Sequence, residues 1–468
     1  MFKSLRRPRA FYASFFALAV PMMLQNLISS SLGLVDTFMV GTLGQNELGG
    51  LSLANTPFFV AMLFVFGLQS GGAVLMSQYW GKRDIATINR VIGLSIMFAV
   101  GISFVFATVV FLFPRQVMSI TTNNPDLLDV AARYGKIVAY SYVLNAFTSL
   151  YIGARRSCES PKLGTIIVIL GMSSNVVFNY IFIFGKLGFE PMGVEGAALG
   201  TLAARAVEFV TVIIYIAVTQ RSPKQTLKLM PSKMIRPGAT ILKDFLRYSS
   251  PVMLNETLWG LGTSLYAIIY GHMAASSDIM AAYSLSRNVE QIVTIAVFAV
   301  SNATAVLVGK SVGAGDSKEE VQSLGTTFAV MSFVVGFVSG ALVIIVLFAL
   351  VKPFLYPAFS LEPGAMRAAT IMLIAQGVNM MFFRSFNTTS VVGILRGGGD
   401  VNFGLLVDVG AMWLISLPLA AIGGLVLQLD ILWVYLLVLV EDPIKTALGL
   451  YRLRSGKWIR NVTREVVD

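Results

Sequence analysis

Ten ionisable side chains fall within stretches otherwise apolar enough to lie in a bilayer: Asp36, Arg205, Glu208, Glu256, Arg287, Glu290, Arg384, Asp408, Glu441 and Asp442. Each costs about 2.5 to 3.5 kcal/mol at bilayer depth on insertion scales, so its presence demands a partner or a task. Asp36 has no basic residue within a helical turn. Asn175 and Asn179, four residues apart, share one helical face. A carboxylate meeting two amide carbonyls and the hydroxyls of Tyr140 and Thr201 offers hard oxygen ligands for Na⁺, or a desolvated acid able to take H⁺. Arg205 with Glu208 and Arg287 with Glu290 are spaced for intrahelical ion pairs. Asp408 has no basic neighbour in sequence and is expected to line a cavity or contact another helix. Glu441 and Asp442 precede Pro443 and are expected near the membrane interface.

Other chemistries find little support. Cys158 and His272 are the only residues of their kinds, so a disulfide, a zinc cluster or a Ser/His/Asp or Cys/His catalytic arrangement lacks its parts. The expectation is a protein that is not an enzyme and carries no cofactor beyond a coupling ion.

These side chains must be positioned by membrane-spanning helices. Of 468 residues, 56% are hydrophobic and 13% charged, and the mean hydropathy is +0.76, which excludes a soluble domain. The apolar segments give about twelve spans of about 20 residues or more. They lie near 11–40, 51–79, 91–113, 130–153, 163–185, 193–219, 245–272, 279–309, 321–351, 366–394, 402–427 and 430–451. The net charge of +11 follows from basic loops on one side rather than from a nucleic-acid partner. Lys3, Arg6, Arg7 and Arg9, then Lys82, Arg83 and Arg90, then Arg155, Arg156 and Lys162 fall on alternate loops. So do Arg221 to Arg247, Lys310 and Lys318, Arg396, and the last basic residues Arg452 to Arg464. Both termini are therefore expected in the cytoplasm, with the chain in the plasma (inner) membrane. Residues 221–244, with Pro223, Lys224, Pro231 and Pro237, read as a basic linker between an N-lobe (1–220, spans one to six) and a C-lobe (245–452, spans seven to twelve). A basic tail (453–468) follows.

The halves repeat. Pro21-Met22-Met23-Leu24 aligns with Pro251-Val252-Met253-Leu254, and Gly41 with Gly271. Gly81-Lys82-Arg83-Asp84 aligns with Gly313-Ala314-Gly315-Asp316, and Gly153-Ala154-Arg155-Arg156 with Gly393-Ile394-Leu395-Arg396. Six spans per repeat return the chain to the side it entered, so the pseudo-symmetry axis runs along the membrane normal. Asn255-Glu256 occupies the repeat position of Gln25-Asn26. Pro21 removes one backbone donor from the first span, where a hinge is expected.

The tract Asp36-Thr37-Phe38-Met39-Val40-Gly41, the Gly81-Lys82-Arg83-Asp84 turn, Pro251 to Glu256 and Gly393 to Asp400 resemble the multidrug and toxic compound extrusion (MATE) family, over about residues 17–450. The resemblance implies an all-α polytopic protein of twelve helices in two pseudo-symmetric six-helix bundles, a cation-coupled (H⁺ or Na⁺) antiporter exporting organic, mostly cationic amphipathic compounds. It matches the first-span acid to Asp36 and its polar company to Tyr140, Asn175, Asn179 and Thr201. It also implies that the first span bends at Pro21 on protonation. Asn179 stands where some members have a second acid, which leaves the ion open. Glu256 resembles a second-lobe acid, and Arg384 stands where sodium-binding members tend to have aspartate. A Glu256–Arg384 pair beside Asn255, acting as a switch broken by substrate or proton, is therefore expected. The 21 Met and 32 Phe could furnish an adaptable apolar pocket. Expected partners are small organic solutes and membrane lipid, and a monomer is expected. The rival reading is a flippase for lipid-linked oligosaccharides, whose cleft would be markedly basic.

Overall fold

The computed structural model describes residues 7–222, 227–359 and 361–465. Lys3, Arg6, Pro223 and Lys224 lie outside them. Among the described residues there is no strand. The long helices are α1 (Arg9–Gly41), α2 (Gln45–Gly81), α3 (Ile85–Leu112), α4 (Pro125–Ser157), α5 (Lys162–Phe184), α6 (Gly193–Thr219), α7 (Ala239–Gly271), α8 (Ser276–Ala314), α9 (Lys318–Ala358), α10 (Pro363–Leu395) and α11 (Val401–Val426). Two shorter ones, α12 (Ile431–Leu439) and α13 (Glu441–Ser455), follow each other with only Val440 between. Ten are long and apolar enough to span a membrane by themselves. The other two spans are α7, which carries Lys243, Asp244, Arg247 and Glu256, and the α12–α13 pair, which carries Glu441, Asp442 and Lys445. Hydrogen bonding within each helix satisfies the backbone where no water can reach it.

Helix ends are fixed by local chemistry. Asp84 caps α3, accepting from Thr87 N at 2.9 Å, Ser317 caps α9, accepting from Glu320 N at 3.2 Å, and Asp430 caps α12, accepting from Leu432 N at 3.0 Å. Gly185 ends α5 at φ 66°, a left-handed cap that glycine takes without strain.

The chain forms two compact units. The N-unit comprises 24–80 and 84–253, and the C-unit comprises the described residues up to Met23, Gly81–Arg83 and Leu254–Glu465. The units therefore do not follow whole helices: α1 passes from the C-unit to the N-unit after Met23, and α7 passes the other way after Met253. The two handover points differ by the 230-residue offset of the repeat, and each lies two residues beyond its proline, Pro21 or Pro251.

Within the N-unit, Val40, Ala54, Ala131, Tyr142 and Ala198 form a buried core, and the stretch after α6 is tied down by Asn89, which donates to Lys228 O (3.0 Å) and accepts from Met230 N (2.9 Å). Within the C-unit, α9 and α10 approach closely where Gly340 and Gly377 face each other, as small residues permit between membrane helices. Wide π-type turns interrupt α9 (Leu347–Leu355), α10 (Met380–Arg384 and Thr389–Leu395) and α11 (Met412–Ser416 and Ile422–Val426). Trp458 and Arg460, in the stretch expected as a basic tail, dock onto the C-unit. Trp458 is fully buried and donates to Gln322 Oε1 (3.0 Å), and Arg460 N donates to Gly398 O (2.7 Å). Asp400, also fully buried, pairs with Arg452 (2.7 Å) and Arg460 (3.1 Å).

Candidate functional site

In the N-unit, α5 projects Asn175 and Asn179 from one face, one turn apart, against α1 and α6. Asn179 Nδ2 donates to Asp36 Oδ1 at 2.6 Å and to Asn175 Oδ1 at 3.1 Å. Asn175 Nδ2 donates to Thr201 Oγ1 at 3.4 Å. Both asparagines are buried, Asp36 is half-buried, and Asn179 Oδ1 accepts no hydrogen bond. Gly200 on α6 makes the approach possible, because a methyl there would collide with Asn179 Oδ1. One turn along α6, Arg205 Nη1 grips both oxygens of Glu208 at 3.0 and 2.9 Å, as the i,i+3 spacing requires. Gly171 leaves room for that carboxylate beside α5. Arg205 also acts electrostatically on Asp36. Asp36, Glu208 and Arg205 together hold one more negative than positive charge when all are ionised.

Four of the five residues of the expected cluster, Asp36 included, are thus brought together. The fifth, Tyr140, is not: it is 55% exposed and packs on Phe111 with ring centroids 5.2 Å apart. The tyrosine of α4 that faces the cluster is Tyr134, buried and close to Thr201 and Asp36. Six residues rotate a helix by about 240°, so Tyr134 and Tyr140 cannot share a face. As for a cation, Asp36, Thr201, Tyr134 and the unpartnered Asn179 Oδ1 are suitable oxygens. In the observed arrangement, however, Asn179 turns its N–H group toward the carboxylate, and Na⁺ would require the amide to rotate.

The C-unit holds the larger polar system, around a cavity of about 260 Å³ walled by residues that include Asn255, Glu256, Trp259, Arg384 and Asp408. The expected Glu256–Arg384 pair is absent. Glu256 pairs with Arg396 at 2.6 Å, while Arg384 faces Glu290 (3.4 Å), Asp442 (3.5 Å) and Glu441 (4.0 Å). The expected pair rests on the family position of Arg384; in the structure α10, which contains two π-type segments, carries Arg396 to Glu256 and Arg384 to the carboxylates of α8 and α13. Asp408 does line the cavity, and its cation is Lys445 of α13 at 2.8 Å, with Asn255 Nδ2 donating to its other oxygen at 3.0 Å. Glu441 and Asp442 are not at an interface with solvent. Both are buried, and Asp442 accepts from Asn379 (2.7 Å) and Asn387 (2.8 Å). Arg287 and Glu290 pair as expected, at 3.3 Å.

Comparisons with known proteins agree with this architecture. The MatE family model matches residues 21–181 and 251–422, leaving out the stretch between the repeats. A protein named "Probable multidrug resistance protein NorM" from Thermotoga maritima is 23% identical over 452 residues, spanning 96% of this chain and 94% of its own length. The "Uncharacterized transporter YisQ" of Bacillus subtilis is 23% identical over 463 residues, 98% of either chain. Among solved structures, "Crystal structure of MATE in the bent conformation" superposes with a TM-score of 0.82 at 18% identity, covering 95% of this chain and 96% of that one. The structure "Reverse polarity of binding pocket suggests different function of a MOP superfamily transporter from Pyrococcus furiosus Vc1 (DSM3638)" gives 0.81 at 17% identity, covering 94% of this chain and 95% of that one.

Proposed function

The chain belongs to the MatE family of membrane transporters, and from that membership we propose that it is a cation-coupled antiporter exporting organic, mainly cationic amphipathic compounds by alternating access. The observation that carries the reading is Asp36, half-buried, held by a 2.6 Å hydrogen bond in a pocket of amides and hydroxyls, its charge left uncompensated by the neighbouring Arg205–Glu208 pair. Binding one H⁺ or Na⁺ there neutralises the pocket, and neutral and charged forms favour different helix packings because an unneutralised charge is costly away from water. H⁺ is the favoured ion because, unlike Na⁺, it does not require the Asn179 amide to rotate away from the carboxylate. The handover of α1 between units lies just past Pro21, which makes Pro21 the natural pivot. Ion and substrate must then prefer opposite states or compete, as linkage requires.

The compound class rests on relatives named as multidrug resistance proteins. The flippase alternative is less well supported, because the C-unit cavity pairs four basic side chains with four acidic ones and offers an anionic headgroup no positive excess. The test is export of a fluorescent organic cation from cells, then from proteoliposomes under a pH gradient and a Na⁺ gradient applied separately. Asp36→Asn should abolish gradient-driven export while leaving the protein in the membrane. Unchanged export by that variant rejects Asp36 as the coupling acid.

A further inference from the structure

A second chamber, of about 60 Å³, lies in the C-unit against the larger cavity, sharing Trp259, Arg287, Glu290 and Arg384 with its wall. Three of its lining atoms are buried and have no hydrogen-bond partner: Glu441 Oε2, Tyr270 hydroxyl and Ser286 Oγ. Buried polar atoms are normally satisfied, by protein or by water. Three orphans converging on one space large enough for at least one water molecule mark a hydrated pocket.

The charges around it do not balance. Glu256, Glu290, Asp408, Glu441 and Asp442 form one connected set with Arg287, Arg384, Arg396 and Lys445 through the ion pairs of the C-unit and the Asn255 bridge to Asp408, five carboxylates against four cations. Arg287 is exposed but Glu441, Asp442, Lys445 and Arg396 are buried, and an odd negative charge in such a set is expensive in the membrane; one proton removes the imbalance. The hydrogen bonds say where it goes. Both oxygens of Asp442, of Asp408 and of Glu290 accept from cations or amides, and Glu256 accepts from Arg396 at 2.6 Å. Glu441 meets Lys445 at 3.4 Å and Arg384 only at 4.0 Å, both through Oε1. Its Oε2 has nothing to accept from, and the residue lines the chamber.

We propose that Glu441 is a proton-binding site of the C-unit, separate from Asp36: a proton from water resides on Glu441 Oε2, where it is donated into the small chamber toward Tyr270 and Ser286. The groups facing Glu441 are Lys445 and Asp442 on its own helix, Arg384 from α10, Arg287, Glu290 and Tyr283 from α8, Tyr266 from α7, Asp408 from α11 and Tyr435 from α12. Proton uptake leaves Lys445 paired with Asp408 and Arg384 with Glu290 and Asp442, so no cation loses its partner. Protonation at this position does not depend on Asp36 being the coupling acid.

The test is infrared difference spectroscopy of the full-length protein in lipid nanodiscs, stepping from alkaline to neutral buffer in H₂O and in D₂O. The carbonyl stretch of a protonated carboxyl is expected on acidification, moved in D₂O because water reaches the chamber. Glu441→Gln should remove that component, Glu441→Asp should move it, and Tyr270→Phe should shift its frequency without removing it. Asp36→Asn should retain it, whatever happens to transport in that variant. A full signal persisting in Glu441→Gln, or no deuterium-sensitive carboxyl component lost in that variant, would overturn the assignment.

Discussion

Adding a single methyl group at Gly200 should disconnect Asp36 from its asparagine. The new Cβ would overlap Asn179 Oδ1 and lie 3.0 Å from the Asn179 backbone nitrogen. The backbone of α5 cannot yield easily, because α5 and α6 pack closely against each other. The Asn179 amide must then turn away from Asp36, or the two helices must part. Turning away forfeits a charge-assisted hydrogen bond of about 1.5 to 3 kcal/mol, and parting costs about 1 to 3 kcal/mol of overpacking. At about 1.4 kcal/mol per decade, loss of the bond alone corresponds to a change of roughly ten- to 150-fold in the ion equilibrium at Asp36. Because the lost bond favours the ionised carboxylate, Gly200→Ala should tighten proton binding at Asp36 by that factor and move the pH dependence of export upward by roughly one to two units, with the protein still folded in detergent. Gly101→Ala is the control, since a Cβ at that exposed position of α3 meets nothing within 4 Å. Export by Gly200→Ala with native ion dependence would show that the asparagine contact does not govern Asp36.

Three further outcomes follow from the C-unit and the α4 terminus. Arg396→Met should destabilise the C-unit by about 3 to 5 kcal/mol by stranding Glu256, and adding Glu256→Met should restore most of the loss, read as melting temperatures in a double-mutant cycle. Trp458→Ala should cost about 3 to 5 kcal/mol, because the indole is fully buried and hydrogen-bonded, and a melting temperature unchanged from the native chain would mean that the last residues are not docked. Cys158, just beyond the end of α4, is buried, and burial pushes its thiol up to about 12, with neighbouring Arg155 opposing the shift. It is protonated at pH 7 to 9, so maleimide should fail to label the native chain across that range and should label it after denaturation.

What the sequence makes legible is set by distance along the chain. Asn175 and Asn179 declare their common face by four-residue spacing, and Arg205–Glu208 and Arg287–Glu290 declare their pairs by three. The offset of 230 that aligns Pro21 with Pro251 also marks the points at which α1 and α7 change units, although residues alone do not say that the units exchange half-helices. The partners of Glu256 and Asp408 were hidden for a different reason. Arg396 lies 140 residues from Glu256 and Lys445 lies 37 from Asp408, and no local periodicity encodes such contacts. The expectation for α10 rests on the family position of Arg384; in the structure that helix, which contains the wide turns at Met380–Arg384 and Thr389–Leu395, carries Arg384 to Glu290 and Asp442 while Arg396 reaches Glu256. Choosing Tyr140 over Tyr134 fails on helical phase alone.

The two proposed acids give the charge imbalance of each unit an energetic consequence. Exchange of one proton for one monovalent organic cation moves no net charge, so the membrane potential contributes nothing and a pH unit supports only about a tenfold solute gradient. If Glu441 also releases its proton in each cycle, two protons enter per cation expelled. One net charge then moves inward, adding about 2.3 kcal/mol per 100 mV to about 2.7 kcal/mol per pH unit. Under 100 mV and one pH unit, the limiting gradient rises from about tenfold to several thousandfold. Proteoliposomes clamped with potassium and valinomycin separate the two cases. Export of a monovalent cation that responds to potential at zero pH gradient in the native chain, and loses that response in Glu441→Gln while keeping its response to pH, is the outcome expected if both acids cycle. Potential-independent export by the native chain would confine the cycling proton to one unit and leave Glu441 protonated throughout.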